Sequence, residues 1–177
     1  MESLKFTITT KMEKEDLKKF MYIATFFRKK STIPMLVTVS LLGSLWVNYA
    51  WGNVTTPGFF VVTIIMLIFI IGVICFKIER RVKQRIKTDN TGTLGSESVL
   101  SFYEEHLEME SESFRSHSEL RYDQFYELME TKDFYMFYIS ANQAYMLRKK
   151  DIKADECSAF CEFMRYVYGA KYKRLNV

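Results

Sequence analysis

Residues 33–51 read IPMLVTVSLLGSLWVNYAW, and residues 59–76 read FFVVTIIMLIFIIGVICF. Neither stretch contains a charged residue or a histidine. As a helix, a run of about 18 or more mostly apolar residues can cross a hydrocarbon layer about 30 Å thick. Residues 52–58 are too few to let two such helices run parallel. The sequence therefore predicts an antiparallel transmembrane hairpin, and the rest of the chain is arranged around it.

The alternative to a membrane hairpin is a pair of core helices in a soluble protein. We favour the membrane because no other segment is apolar enough to surround both helices on all sides. Ionisable side chains inside a membrane usually mark transport pathways. Their absence from both stretches argues against a transporter or a proton channel.

Charge is distributed unevenly along the chain. Residues 1–87 contain 14 Lys or Arg and 5 Asp or Glu, a net charge of +9, whereas residues 88–177 contain 11 and 16, a net charge of −5. Basic residues flank the hairpin at 28–30 and 77–87, and the loop has none. The positive-inside rule then predicts that both termini lie in the cytoplasm. The acidic balance of residues 88–177 argues against nucleic-acid binding.

Three segments follow from these patterns. Residues 1–32 form a cytoplasmic strand and an amphipathic helix, residues 33–87 form the hairpin with a basic helical extension, and residues 88–177 form a cytoplasmic domain. The helix over residues 13–27 carries an apolar stripe that would either pack on this domain or lie in the membrane interface. The sequence also leaves open whether the strand over residues 4–10 joins the sheet of the domain.

The C-terminal domain begins with strands and ends with a helix. Residues 97–151 show the alternation and the turn residues of several antiparallel strands. Residues 134–139 (FYMFYI) are apolar or aromatic on both faces, which is typical of a strand covered on both sides. Residues 155–168 change to helical spacing, and Gly169 ends this helix. The predicted fold class is therefore α+β.

This order of strands and helix supports a family resemblance. Residues 122–152 read YDQFYELMETKDFYMFYISANQAYMLRKKDI, and residues 156–167 read ECSAFCEFMRYV. With the two apolar stretches before them, they resemble the YcxB-like family of bacterial membrane proteins. The resemblance implies a pleckstrin-homology-like (PH-like) antiparallel β-barrel capped by the C-terminal helix, on a two-span anchor in the bacterial cell membrane. The family has no agreed activity, so the resemblance assigns no catalytic or ligand-binding residues to this chain.

Candidate metal and nucleophile sites in the sequence are weak. His106 and His117 lie in a glutamate-rich stretch, but their spacing matches no known ligand pattern, so we expect exposed histidines. Cys157 and Cys161 fall on the apolar stripe of the last helix, which favours small buried side chains over a metal or redox pair. No catalytic motif is present, and we expect no catalytic residues, no cofactor and no metal, and hence not an enzyme.

We therefore expect a non-enzymatic interaction module at the cytoplasmic face of the lipid bilayer, which binds a protein partner or a second copy of itself. Phe163 and Tyr166, on the outward face of the last helix, are the candidate partner-binding residues, because exposed aromatic rings are costly to leave in water. The alternative is a sensor of anionic lipid. Its candidate lipid contacts are Arg80, Arg81, Lys83, Arg85, Lys87, Arg148, Lys149 and Lys150.

Overall fold

The computed structural model describes residues 3–52, 55–89, 94–111, 116–141 and 143–175. The fold is mixed α+β, as predicted, with four helices in these residues: α1 (Lys14–Phe26), α2 (Thr32–Trp51), α3 (Thr56–Thr88) and α4 (Cys157–Tyr168). The strands are β1 (Phe6–Lys11), β2 (Glu97–Phe102), β3 (His106–Ser111), β4 (Ser116–Arg121), β5 (Glu127–Glu130), β6 (Phe134–Tyr138), β7 (Ala144–Arg148) and β8 (Tyr172–Arg174). Three short 3₁₀ turns cover Tyr122–Gln124, Lys149–Asp151 and Gly169–Lys171.

The chain divides into two compact units. Residues 15–88 form a helical unit, and the residues before and after them form a strand unit. The strand unit thus includes β1, which comes from the N-terminal end of the chain. The predicted division at residues 32 and 87 stays a prediction.

The helical unit contains the predicted hairpin. Both α2 and α3 are long and apolar enough to cross a membrane, and the apolar windows of the two helices are only 11% and 0% buried, respectively, within the described residues. α2 ends at Gly52, whose φ of 72° is the left-handed conformation that glycine adopts at helix ends. α3 starts at Thr56, so Pro57 and Gly58 belong to its first turn and not to the predicted loop. Residues 53 and 54 lie outside the described residues.

Small side chains of α2 lie inside this hairpin. Ser40 and Ser44 are buried, and the hydroxyl of Thr63 on α3 donates to Ser44 Oγ over 2.7 Å. Met66 of α3 lies against Gly43, since a Cβ built on this glycine would be 3.8 Å from Met66 Cε, an ordinary van der Waals distance. The small residues therefore serve contact within the hairpin.

α1 packs on the basic extension of α3. Lys18 Nζ lies 2.6 Å from Glu79 Oε1, and the Tyr22 hydroxyl donates to the same oxygen over 3.2 Å. Leu17 on α1 and Val82 on α3 are buried. The sequence predicts packing of the α1 stripe on the C-terminal domain or its burial in the membrane interface. It does not predict packing of α1 on α3.

The strand unit contains two four-stranded sheets. The first has the order β1-β2-β3-β4 and is antiparallel throughout, so the N-terminal strand joins it, with Ile8 opposite Leu100. The second has the order β7-β6-β5-β8, in which β8 runs parallel to β5. The sequence did not predict β8, because three residues are too few to show alternation. Among the described residues the two sheets do not close into one barrel.

One hydrophobic core joins both sheets to α4. Phe160 of α4 is fully buried, and its ring centroid lies 5.3 Å from Phe6, 4.9 Å from Phe102 and 5.3 Å from Tyr135. All five residues of β6 are buried, which confirms a strand covered on both faces. Gly169 follows α4, as predicted, with a φ of 46°.

Some predicted boundaries cannot be compared with the structure. The sequence predicts a linker over residues 89–96, a strand over residues 107–112 with an uncertain segment over residues 114–118, and a turn at residues 141–142. Residues 90–93, 112–115 and 142 of these lie outside the described residues. The sequence also predicts a bulge or a short turn at residues 123–126, and the 3₁₀ turn Tyr122–Gln124 overlaps this stretch.

Candidate functional site

The two candidate partner-binding residues on α4 differ in exposure. Tyr166 is 87% exposed. Phe163 is partly buried and packs on the core, with its ring centroid 5.7 Å from Phe6 and 6.2 Å from Tyr122. Side chains three positions apart on a helix point about 60° apart around its axis, so these two share only part of a face. The expectation that Phe163 points outward is therefore corrected, and Tyr166 alone offers an open aromatic surface on α4.

Arg148, a candidate lipid contact, is buried. Its Nε lies 2.7 Å from Asp151 Oδ2, and its Nη1 lies 2.9 Å from Glu13 Oε1. The Thr10 hydroxyl donates to the same Asp151 oxygen over 2.6 Å. With 7% of its surface exposed, Arg148 joins the end of β7 to the N-terminal strand. This placement argues against the expected lipid contact, because the buried guanidinium group is already paired with Asp151 and with Glu13 of the same unit.

Lys149 is also engaged within the strand unit. Its Nζ lies 2.5 Å from Glu130 Oε1 and 4.9 Å from the centroid of the Tyr135 ring. Tyr172 donates a hydrogen bond to the other oxygen of Glu130, and Arg174 Nε lies 3.7 Å from it. Of the three consecutive basic residues at the end of β7, only Lys150 is exposed.

Glu130 is the centre of this polar cluster. Burial by itself would raise the pKa of its carboxyl group, but the hydrogen bonds from Lys149 and Tyr172, with the charges of Lys149 and Arg174, hold the pKa below its ordinary value. The same contacts act on Tyr172, where burial and the bond to Glu130 raise the pKa of the phenol. The cluster therefore keeps a carboxylate charged at a buried position, which serves stability.

The remaining candidate lipid contacts lie on the extension of α3. Arg80, Arg81, Lys83, Arg85 and Lys87 are all exposed. Within the described part of the chain, Arg81 and Arg85 form no ion pair. Since they are four residues apart, their side chains project from one face of the helix.

His106 is buried, contrary to expectation, whereas His117 is exposed. His106 stacks on Tyr103 with centroids 4.5 Å apart, and its Nε2 lies 3.6 Å from Glu108 Oε1 and 4.0 Å from Glu119 Oε1. These three ligand atoms lie within 4.8 Å of one another, a grouping that can hold a metal ion. The sequence did not point to Glu119, because only the pairing of β3 with β4 brings it opposite Glu108.

This pair of glutamates leads to a prediction about stability. Glu108 and Glu119 are directly opposite on neighbouring strands, where like charges are unfavourable. Replacing Glu119 by Lys at pH 8 should raise the free energy of unfolding by about 0.5 kcal/mol. Urea unfolding of the full chain in detergent measures this change. The same substitution at Glu104, outside the strands, serves as the control, and equal effects of both substitutions would contradict the prediction.

Part of the strand unit matches a known protein family. Residues 102–164 match the family model described as YcxB-like protein. The predicted resemblance to the YcxB-like family is confirmed. The matched segment starts at the end of β2 and reaches into α4, so it contains Glu130, Lys149 and the group around His106. No curated protein and no solved structure matches the chain.

The two cysteines of the YcxB-like segment have different surroundings. Both are half-buried free thiols. Cys157 packs against the hydrophobic core, whereas Cys161 Sγ lies 3.7 Å from the Tyr172 hydroxyl, next to the Glu130 cluster. Cys161 thus belongs to a polar environment that its place on the apolar stripe did not indicate. Tyr166 lies two residues after the matched segment. The hairpin and its basic extension lie before it.

Proposed function

We propose that this protein is a membrane-anchored, non-enzymatic interaction module of the bacterial cell membrane. In this proposal the α2–α3 hairpin is the anchor, with both termini in the cytoplasm. The strand unit with α4 is a PH-like domain that binds a second copy or another protein. Two features together support the proposal. The hairpin helices expose an apolar surface, and the buried charges of the strand unit are paired within that unit.

The apolar surface of the hairpin supports the anchor. The apolar windows of α2 and α3 have mean hydropathies of 1.4 and 3.2 and remain almost entirely unburied in the protein. Monomeric soluble proteins rarely leave an apolar surface of this extent in water. A lipid bilayer would cover it, and Trp46 and Trp51 near the loop end of α2 suit the aromatic belt at a membrane interface.

The corner between the two sheets supports the PH-like arrangement. Thr10 in β1 and Arg148 at the end of β7 both bond to Asp151, so an edge of the first sheet lies beside an edge of the second. α4 then covers the core that the two sheets share. The resemblance implies an antiparallel β-barrel capped by the last helix, and this corner together with the position of α4 supports a PH-like arrangement of two sheets that, in the described part of the chain, do not close into one barrel.

The buried charges support a binding role over catalysis. Perturbed ionisable groups mark active sites when they face a cleft and are poised to react. Glu130 and Arg148 instead make short contacts with groups of opposite charge inside the strand unit. Such saturated pairs hold strands and turns together.

Tyr166 provides the test of the interaction role. Exposed tyrosines are frequent among the residues that carry binding energy at interfaces, where their truncation costs about 2 kcal/mol or more. Tyr166→Ser in the full chain should therefore lower the yield of cross-linked dimer in membranes by about tenfold or more. The measurement uses a lysine-reactive cross-linker on isolated membranes.

Tyr145→Ser is the matched control, since Tyr145 is an exposed tyrosine of the same unit on β7. It should leave the dimer yield unchanged. Equal dimer yields for Tyr166→Ser and the unchanged protein would count against α4 as the interface between copies.

A lipid-sensing role is the second candidate, and one observation favours it. The exposed basic residues of α3 directly continue the apolar helix, so a hairpin that crosses the membrane would bring the first of them to the anionic headgroups. Arg148 and Lys149 no longer support this role, because both are engaged internally.

A further inference from the structure

A groove lies between α1 and the C-terminal part of α3, inside the helical unit. This open groove has a volume of about 310 Å³, at the lower end of the range for small-molecule sites. Its apolar lining residues are Leu17 and Met21 of α1 and Val82 of α3, and its polar lining residues are Arg81, Gln84, Arg85 and Thr88 of α3.

The charged residues that line the groove have one sign. Arg81 and Arg85 are the charged residues of the lining, and neither forms an ion pair with any residue that the structure describes. The nearby carboxylate of Glu79 is already bonded to Lys18 and Tyr22. The Thr88 hydroxyl donates to the backbone carbonyl of Gln84 over 2.9 Å, so the two guanidinium groups dominate the polar side. The groove is therefore complementary to an anion that carries an apolar portion.

The position of the groove along α3 suggests the source of that anion. Phe76 is the last residue of the uncharged stretch, and at 1.5 Å per residue Arg81 lies about 7.5 Å and Arg85 about 13.5 Å further along the helix. The headgroup layer is roughly 5–7 Å thick on each side of the hydrocarbon core. If α3 crosses the membrane, the flexible side chain of Arg81 reaches the level of the lipid phosphates, and Arg85 lies one turn beyond it.

We propose that this groove binds the headgroup of one anionic phospholipid. The guanidinium groups of Arg81 and Arg85 pair with its phosphate, since Arg offers the planar pair of donors that suits phosphate oxygens. Leu17, Met21 and Val82 form the apolar wall of the groove beside the phosphate. The proposal rests on the membrane anchoring proposed above, and it adds a defined site for one lipid to the diffuse attraction of a basic flank.

The test separates this site from general attraction by charge. The full chain is reconstituted in nanodiscs of phosphatidylcholine with one fifth phosphatidylglycerol, and native mass spectrometry counts the lipids that it retains. Arg81→Gln/Arg85→Gln removes two charges from the groove. Arg80→Gln/Lys83→Gln removes two charges from the same helix outside the groove lining and is the control. Near a membrane surface each basic residue contributes similarly to diffuse binding, so that contribution falls equally in both variants.

We expect the groove variant to retain phosphatidylglycerol at least about tenfold less often than the control variant. Met21→Trp, which fills the apolar wall without changing charge, should cause a similar loss. Equal retention by the two double variants would overturn the proposal. Displacement of the retained lipid by a few millimolar inorganic phosphate would also overturn it, because the occupant would then be a free anion.

The same samples distinguish this proposal from the proposed function. A chain that fails to enter nanodiscs contradicts the membrane anchor and with it the groove proposal. A chain that enters nanodiscs and forms dimers, but retains phosphatidylglycerol equally in both double variants, contradicts the groove proposal alone.

Discussion

Replacing Phe160 by Ala is expected to lower the free energy of unfolding of the strand unit by about 3–5 kcal/mol. The ring is fully buried and contacts Phe6 and Phe102 from the first sheet and Tyr135 from the second. Its loss leaves a cavity where α4 meets both sheets, and the surrounding β-strands cannot move in to fill it. The effect should therefore exceed that of any exposed substitution on the same helix.

Hydrogen exchange on the full chain in detergent measures this loss. Amide protection in β6 should fall by about a hundredfold or more, since each 1.4 kcal/mol corresponds to a factor of ten. Tyr166→Ala removes an aromatic ring from the exposed side of α4 and should change protection by less than about threefold. Similar protection in the two variants would contradict the central position of Phe160 in the core.

Glu130→Gln should cost about 2 kcal/mol of unfolding free energy at pH 7. The buried carboxylate accepts charged or phenolic hydrogen bonds from Lys149 and Tyr172, and a neutral amide makes weaker ones. The carboxylate also balances the charge of Arg174 nearby. Substitution leaves these donors without their anion.

The cost should depend on pH in a defined direction. The pKa of Glu130 is lower in the folded protein than in the unfolded chain, so its contribution is complete above the unfolded value of about 4.5. That contribution disappears as the pH falls through the folded pKa. The difference between the unchanged protein and Glu130→Gln should therefore shrink steadily below about pH 4.5.

Near-UV circular dichroism of urea unfolding at several pH values measures both effects. Glu156→Gln is the control, because Glu156 pairs with Lys153 on the surface and should contribute about 0.5 kcal/mol or less. A constant difference between Glu130→Gln and the unchanged protein from pH 7 to pH 3 would contradict the assigned role of the charge.

The main elements could be predicted from local pattern. Two uncharged runs predicted α2 and α3, and aromatic residues on both faces of residues 134–138 predicted the buried strand β6. The strand order and the last helix together supported the YcxB-like resemblance, which the match to residues 102–164 confirms. These features depend on residues that are close together in the chain, so the periodicity of the sequence is enough to predict them.

The candidate sites were less predictable, because they depend on partners far away in the chain. Arg148 and Lys149 are consecutive basic residues near a strand end, a pattern that indicates an exposed patch. Their partners are Glu13, between β1 and α1, and Glu130, at the end of β5, and no local pattern identifies them. The approach of Glu119 to His106 likewise depends on the register of β3 with β4.

The helical hairpin, the alternation of the strands, the amphipathic last helix and the uneven distribution of charge can all be read from the amino-acid sequence alone. These follow from hydrophobic period and composition, which act over a few residues. The three-dimensional arrangement was needed to show that β1 pairs with β2, that β8 joins the second sheet, that α1 packs on α3 and that Arg148 and Lys149 are neutralised. Each of these needs two distant segments to meet, and periodicity shows which face of a segment is apolar without showing what covers it.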